Sequence, residues 1–187
     1  MKRIFLIRHG LPEFPEGQRQ CVGSTDIPLS TAGAAQAAEM ARTLPQVSAV
    51  FSSPLTRAVE TARAVCSEYT VLDGLRELDY GQWEGLSFPE IRQNYPELYA
   101  ARGGDPRLQP PGAESNEAGL SRFSAAMEDA ARRSPGDLAV VAHGGIIALF
   151  LEHITGRWHK PDYCEIITLQ WDESGFFHQE ESSCGKC

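Results

Sequence analysis

Two short runs in this chain, Ile4-Phe5-Leu6-Ile7 and Leu138-Ala139-Val140-Val141-Ala142, are apolar at every position. A strand with one wet face alternates apolar and polar residues, so runs without alternation belong to a sheet covered on both sides. The segments between them change to helical spacing. Ser30 can cap a helix over residues 31–44 ahead of Pro45, and Ser53-Pro54 reads as a capping hydroxyl with proline at the first helical position. That second helix would turn Leu55, Ala58, Val59, Ala62 and Val65 inward. Residues 48–52 and 70–72 are further strand candidates. Ser87-Phe88-Pro89-Glu90 has the pattern of a capping box, and Leu120, Phe123, Met127 and Ala131 mark the inner face of a long helix reaching about Arg132. Gly144-Gly145 opens a last helix ending near Gly156. Two alternating runs, 165–171 and 176–180, read as a hairpin across Asp172-Glu173-Ser174-Gly175. Strands alternating with helices predict an α/β fold, a three-layer α/β/α sandwich around a mostly parallel sheet.

The 187 residues suit one domain over 1–180, with 181–187 as a flexible tail. Lys and Arg number 17 against 25 Asp and Glu, a net charge of −8. Such a chain repels nucleic-acid backbones at long range, so no nucleic-acid partner is expected and any anion site must be built locally. The start, MKRIFLIR, has too short an apolar stretch for a signal peptide, and no run reaches membrane-spanning length; a soluble, cytoplasmic protein is expected. The five cysteines are an odd number, and Cys21, Cys66 and Cys164 are scattered. Cys184 and Cys187 form a C-x-x-C without the second pair of a zinc site, which reads as two thiols in a tail.

In sheets of this kind ligands bind beyond the carboxyl ends of the strands. Two strands here end in histidine and glycine, at Arg8-His9-Gly10 and at His143-Gly144-Gly145. The second also presents a helix N-terminus, whose free N–H groups favour anions. Arg8 adds a fork of donors suited to phosphate oxygens, and Arg57 stands in a first helical turn, where its charge opposes the helix dipole unless an anion is near. Each residue has a plainer reading as a structural histidine or a solvated arginine. A metal site at His9 and His143 is the other alternative. No paired carboxylate or H-x-x-x-H accompanies them, and two arginines would repel a divalent cation, so neither metal nor cofactor is expected.

Taken in order, the motifs RHG at 8–10, GSTDIPLS at 23–30, FSSPLTRAVETA at 51–62, LRELDYGQWEG at 75–85, PPGAES at 110–115 and VVAHGG at 140–145 resemble the histidine phosphatase superfamily, also called phosphoglycerate-mutase-like. The resemblance implies that fold and a metal-independent phosphomonoesterase acting on a small molecule. It makes His9 the nucleophile, Glu77 the acid/base, and Arg8, Arg57 and His143 the grip on the phosphoryl oxygens, with His143 protonated and Gly144 close by. His9 would be neutral, with one ring nitrogen held by an acceptor such as a backbone carbonyl and the other free to attack. The family's R-H-G-x-T-x-x-N is broken by Pro12 and Pro15, so that phosphate contact is either absent or supplied from elsewhere, by Gly23 or Ser24. Leu78 and Asp79 stand where glycolytic mutases carry Arg and His. They argue against a small dianionic substrate and for the phosphatase branch, most like alpha-ribazole phosphatases and broad-specificity monoesterases. A mutase-type phosphotransferase and a slow phospho-ligand-binding relative are the alternatives. Residues 87–114 would form a lid, with Arg102 and Arg107 as its contacts to the leaving group.

Overall fold

The structure, a computed structural model, describes residues 1–178. Its strands are β1 (Lys2–Arg8), β2 (Ala49–Ser52), β3 (Thr70–Val71), β4 (Leu138–Ala142), β5 (Ile166–Asp172) and β6 (Gly175–His178). They form one sheet in the order β3-β2-β4-β1-β5-β6. The first four are parallel, and β5 and β6 are added antiparallel at one side. The helices are α1 (Thr31–Thr43), α2 (Thr56–Val65), α3 (Phe88–Asn94), α4 (Pro96–Gly104), α5 (Asn116–Arg133) and α6 (Gly144–Thr155). This is the expected α/β architecture.

The unbroken apolar runs are explained by what covers them. Ile4 and Leu6 of β1 and Leu138 and Val140 of β4 join a core with Phe123, Met127 and Ile146 from α5 and α6. Ile7, Ala139 and Val141 face the opposite way, onto Met40 of α1 and Ala58 and Ala62 of α2. Residues 4–8 of β1 and all of β4 are buried, so alternation has no role there. The pairing register then places the chemistry. Arg8 lies opposite Ala142, so His9 and His143 leave the sheet side by side at its carboxyl edge.

Local signals held where their partners are local. Ser30 accepts from the Gly33 amide at 3.0 Å to start α1, Ser87 and Glu90 form a reciprocal capping box on α3, and Gly156 closes α6 in the left-handed region at φ 73°. Four expectations change. Helix α2 begins at Thr56, not at Ser53-Pro54. The Asp26 carboxylate takes the Thr56 amide at 2.7 Å and its hydroxyl at 2.8 Å, while Ser53 Oγ lies 2.7 Å from His143 Nε2. Leu55, Ala58 and Ala62 are buried as expected, but Val59 and Val65 are only half-buried. The segment 87–114 contains two helices, and residues 102–104 end α4 instead of starting a loop. In the hairpin Asp172 pairs with Gly175, which leaves a two-residue turn at Glu173-Ser174. Gln179, Glu180 and the tail with Cys184 and Cys187 lie outside the described residues. Cys21, Cys66 and Cys164 are free thiols, and no helix among the described residues is long and apolar enough to cross a membrane.

Candidate active site

His9 ends β1 with its amide bonded to the Ala142 carbonyl at 3.0 Å. Its Nδ1 lies 2.7 Å from the Gly10 carbonyl oxygen. A carbonyl can only accept, so Nδ1 carries the proton and Nε2 keeps its lone pair. The backbone that sets this tautomer is fixed in turn, because the Gly10 amide donates to Thr61 Oγ1 at 3.0 Å and that hydroxyl donates to the Arg57 carbonyl at 2.7 Å. Glycine is required at position 10, since an added Cβ would sit 2.5 Å from the Gly33 oxygen.

Two arginines flank this ring. Arg57 is 1% exposed and donates to the carbonyls of Thr25 at 2.8 Å and Gly23 at 2.7 Å. Arg8 donates to the Pro161 carbonyl at 2.7 Å, and its guanidinium lies 3.8 Å from the centre of the Tyr163 ring. Both therefore arrive pre-oriented. The cleft they line has a volume of about 130 Å³, and Glu77, Tyr80, Trp83, Arg102 and Lys160 line it too.

The Glu77 carboxylate caps α6. Oε2 accepts from the Gly145 amide at 2.8 Å, and Oε1 accepts from Ile146 at 2.7 Å and Leu78 at 3.0 Å. The anion-favouring end of that helix is thus occupied by the chain's own carboxylate. Glycine at 145 makes the approach possible, because a Cβ there would lie 2.9 Å from Glu77 Oε1. Glu77 is held from behind by Arg122, which donates to the Glu77 carbonyl at 2.9 Å and grips Glu114 through two 2.7 Å contacts.

His143 lies behind the cleft and is fully buried. Its ring centre is 5.0 Å from that of His9, and its Nδ1 has no hydrogen-bond partner among the described residues. Burial, and next the Arg57 charge, pull the pKa of both histidines well below the usual imidazole value. Both causes favour the neutral imidazole of His143, in the opposite sense to the protonated form that the resemblance implies. Protonation is disfavoured in the fold and easy once unfolded. Stability from these groups is full above about pH 6.5 and declines as pH falls below it, by up to about 1.4 kcal/mol per pH unit for each histidine. Calorimetric melting should show a lower midpoint at pH 5.5 than at pH 7.5, with a shallower fall in His9→Asn. A flat profile would contradict this.

The remaining site candidates sit as follows. The Gly23 and Ser24 amides donate to Glu84 at 3.1 and 3.0 Å, so this loop serves the site through its carbonyls on Arg57. Gly144 packs against Arg8, with an added Cβ 3.0 Å from Nε. Pro12 lines the cleft, whereas Pro15 starts a 3-10 turn away from it. Leu78 is buried, and Asp79 accepts from the Gly81 amide at 2.6 Å and from Ser24 Oγ at 3.0 Å. Neither lines this cleft, but both line an adjoining hollow that shares Tyr80, Arg102 and Lys160 with it. Arg102 reaches the cleft; Arg107 instead pairs with Asp105 at 2.8 Å. Arg19, Tyr80, Trp83, Lys160 and Tyr163 escaped the sequence reading as cleft residues; Tyr80 and Trp83 lie inside the motif at 75–85, and no motif marks the other three. Among the described residues no three His, Cys, Asp or Glu side chains group as a metal site.

The model of the histidine phosphatase superfamily (branch 1) matches residues 4–181. The chain belongs to this superfamily. A phosphatase of Bacillus subtilis is 32% identical to this chain over 165 residues, covering 83% of this chain and 79% of the relative. A bifunctional protein of Mycobacterium tuberculosis is 36% identical over 160 residues, which is 82% of this chain but only 41% of that protein's length. Among solved structures, a mycobacterial glucosyl-3-phosphoglycerate phosphatase in complex with VO3 superposes with a TM-score of 0.81 at 26% identity, over 91% of this chain and 93% of that one. The alpha-ribazole phosphatase of Shigella flexneri shares the fold, with a TM-score of 0.78 at 24% identity over 95% and 94% of the two chains.

Proposed function

We propose that this histidine phosphatase hydrolyses a small phosphomonoester without a metal, through a phosphohistidine at His9. The observation that carries the reading is the Nδ1–Gly10 contact, which leaves the Nε2 lone pair free beside two fixed arginines. Phosphoryl transfer asks chiefly for in-line positioning and for charge on the equatorial oxygens to be met by fixed cations. Arg8 and Arg57 supply those cations. His9 Nε2 forms a bond to phosphorus as the ester P–O bond breaks, and a proton on Glu77 passes to the leaving oxygen. Water then attacks the phosphohistidine, gives its proton to Glu77, and the N–P bond breaks to release inorganic phosphate. His143, neutral and 5.0 Å behind His9, takes the part of a positioning and hydrogen-bonding neighbour.

Residues 87–114 take the part of a lid over this single domain, since α4 brings Arg102 to the cleft. The leaving group lies against Tyr80 and Trp83, which suits a range of phosphomonoesters, including the alpha-ribazole phosphate and glucosyl-3-phosphoglycerate named by the structural relatives.

The test is a phosphoryl-trapping experiment. Protein mixed with a ³²P-labelled phosphomonoester in EDTA and quenched in alkali should carry label that survives base and is lost in acid, as a phosphoramidate is. Activity lost in EDTA and restored by a divalent ion, or label stable in acid, would overturn the reading.

A further inference from the structure

Five donors converge on the half-buried carboxylate of Glu84, within the 75–85 motif. Oε2 accepts from the amides of Gly23 and Thr25, both at 3.1 Å, and from Thr25 Oγ1 at 2.6 Å. Oε1 accepts from the amides of Ser24 at 3.0 Å and Tyr80 at 2.8 Å. Glu84 does not line the His9 cleft, so these bonds bring no charge to a substrate directly. A carboxylate that collects successive amides of one loop fixes the course of that loop. Glycine at 23 permits the close approach, because an added Cβ there would run into the Leu78 carbonyl and Glu84 Oε1.

The other edge of the same loop carries Arg57. Its Nη2 donates to the Gly23 carbonyl at 2.7 Å and its Nη1 to the Thr25 carbonyl at 2.8 Å. The peptide that joins Gly23 to Ser24 therefore accepts from Arg57 through its C=O and donates to Glu84 through its N–H. In a planar trans peptide those two groups point in opposite directions, so guanidinium and carboxylate face each other across one peptide unit. Each charge strengthens the bond at the far end, since hydrogen bonds in a chain polarise one another. Burial pulls the Arg57 pKa down, and the charges of Glu77, Asp26 and Glu84 oppose it in that order. Arg57 is almost wholly buried, and these two carbonyls are the acceptors that set its direction.

We infer that Glu84 is a positioning residue for phosphoryl transfer: through the Gly23–Ser24 peptide and the Thr25 amide it fixes the two carbonyls that aim the Arg57 guanidinium. This rests on the phosphatase reading of the His9 pocket. The carboxylate touches neither substrate nor reacting atoms, and its contribution reaches the reaction only as the orientation of Arg57.

A double-mutant cycle tests it. Glu84→Gln keeps the side-chain shape but sets an NH₂ group among donors, so at least two of the five bonds are lost whichever way the amide turns. In Glu84→Gln, kcat/KM for p-nitrophenyl phosphate should fall by roughly 10- to 100-fold, as when a partner that orients a site's ligand is removed. In an Arg57→Ala background the same substitution should cost less than about twofold, because the side chain it orients is gone. Thr25→Val removes one donor to Glu84 and keeps the Thr25 carbonyl. It should show the same pattern at about three- to tenfold, and it carries the test if Glu84→Gln does not fold. By NMR relaxation the Arg57 Nε–H, ordered in the wild type, should gain picosecond-to-nanosecond mobility in either variant. Equal costs in the two backgrounds, or no cost in the wild type, would overturn the relay and leave Glu84 a support of the fold alone. An Arg57 side chain that stays ordered would overturn it too. A loosened Arg57 in a protein that releases phosphate from no ester would keep the relay and discard the phosphatase reading.

Discussion

Replacing His9 by alanine is expected to lower kcat/KM for p-nitrophenyl phosphate in EDTA by on the order of 10⁴-fold or more. The substitution removes the only atom proposed to bond phosphorus and leaves its surroundings in place. Arg57 keeps its carbonyls at 2.8 and 2.7 Å, and Arg8 keeps Pro161 and Tyr163. Inorganic phosphate should therefore still bind the variant while turnover and the trapped label vanish. Activity within tenfold of wild type would show that water attacks the ester directly and that His9 only shapes the pocket.

Arg57→Ala should cost about 10³-fold in kcat/KM, in the range found when a charge-stabilising arginine is removed from a phosphoryl-transfer site. Three effects converge on this side chain. It supplies positive charge to the phosphoryl oxygens, it holds the loop at 23–25 through two carbonyls, and its charge helps to keep His9 unprotonated. Arg57→Lys keeps the charge but lacks the planar fork, so it cannot serve both carbonyls and a phosphate at once; it should recover only part of the loss. The pH profile separates charge from packing. With the Arg57 charge gone the His9 imidazolium is less disfavoured, so the acid limb of kcat/KM moves up toward the ordinary histidine range in Arg57→Ala and much less in Arg57→Lys. An unshifted limb in Arg57→Ala would show that burial alone keeps His9 neutral.

What could be read from the sequence follows from how far apart the interacting residues lie. The apolar runs of β1 and β4 announce a covered parallel sheet by themselves, and Ser30, the Ser87–Glu90 box and Gly156 mark helix ends from within a turn. The strand-end histidines were legible for the same reason. The start of α2 was not, because its cap is Asp26, thirty residues upstream and in a different loop. The amides of Gly23 and Ser24 looked available until Glu84, some sixty residues later, was seen to take them. The helix end at Gly144-Gly145 looked ready for an external anion, yet Glu77 already fills it. Lys160 and Tyr163 belong to a loop without a motif, and only the fold brings them against Arg8. In each case the missing information was a long-range partner for a backbone group that local pattern leaves open.

The position of β1 sets an order on synthesis. Its partners are β4 and β5, so the strand that leads into His9 gains its first neighbour only once residue 142 has been made and its second only after residue 172. The Arg8 guanidinium likewise waits for Pro161 and Tyr163. Such pairing across most of the sequence is slow to nucleate and leaves an unpaired apolar strand exposed meanwhile. On the ribosome, the first three-quarters of this polypeptide therefore leaves β1 without its neighbours and is a natural client for chaperones, and the proposed site is assembled only near the end of synthesis.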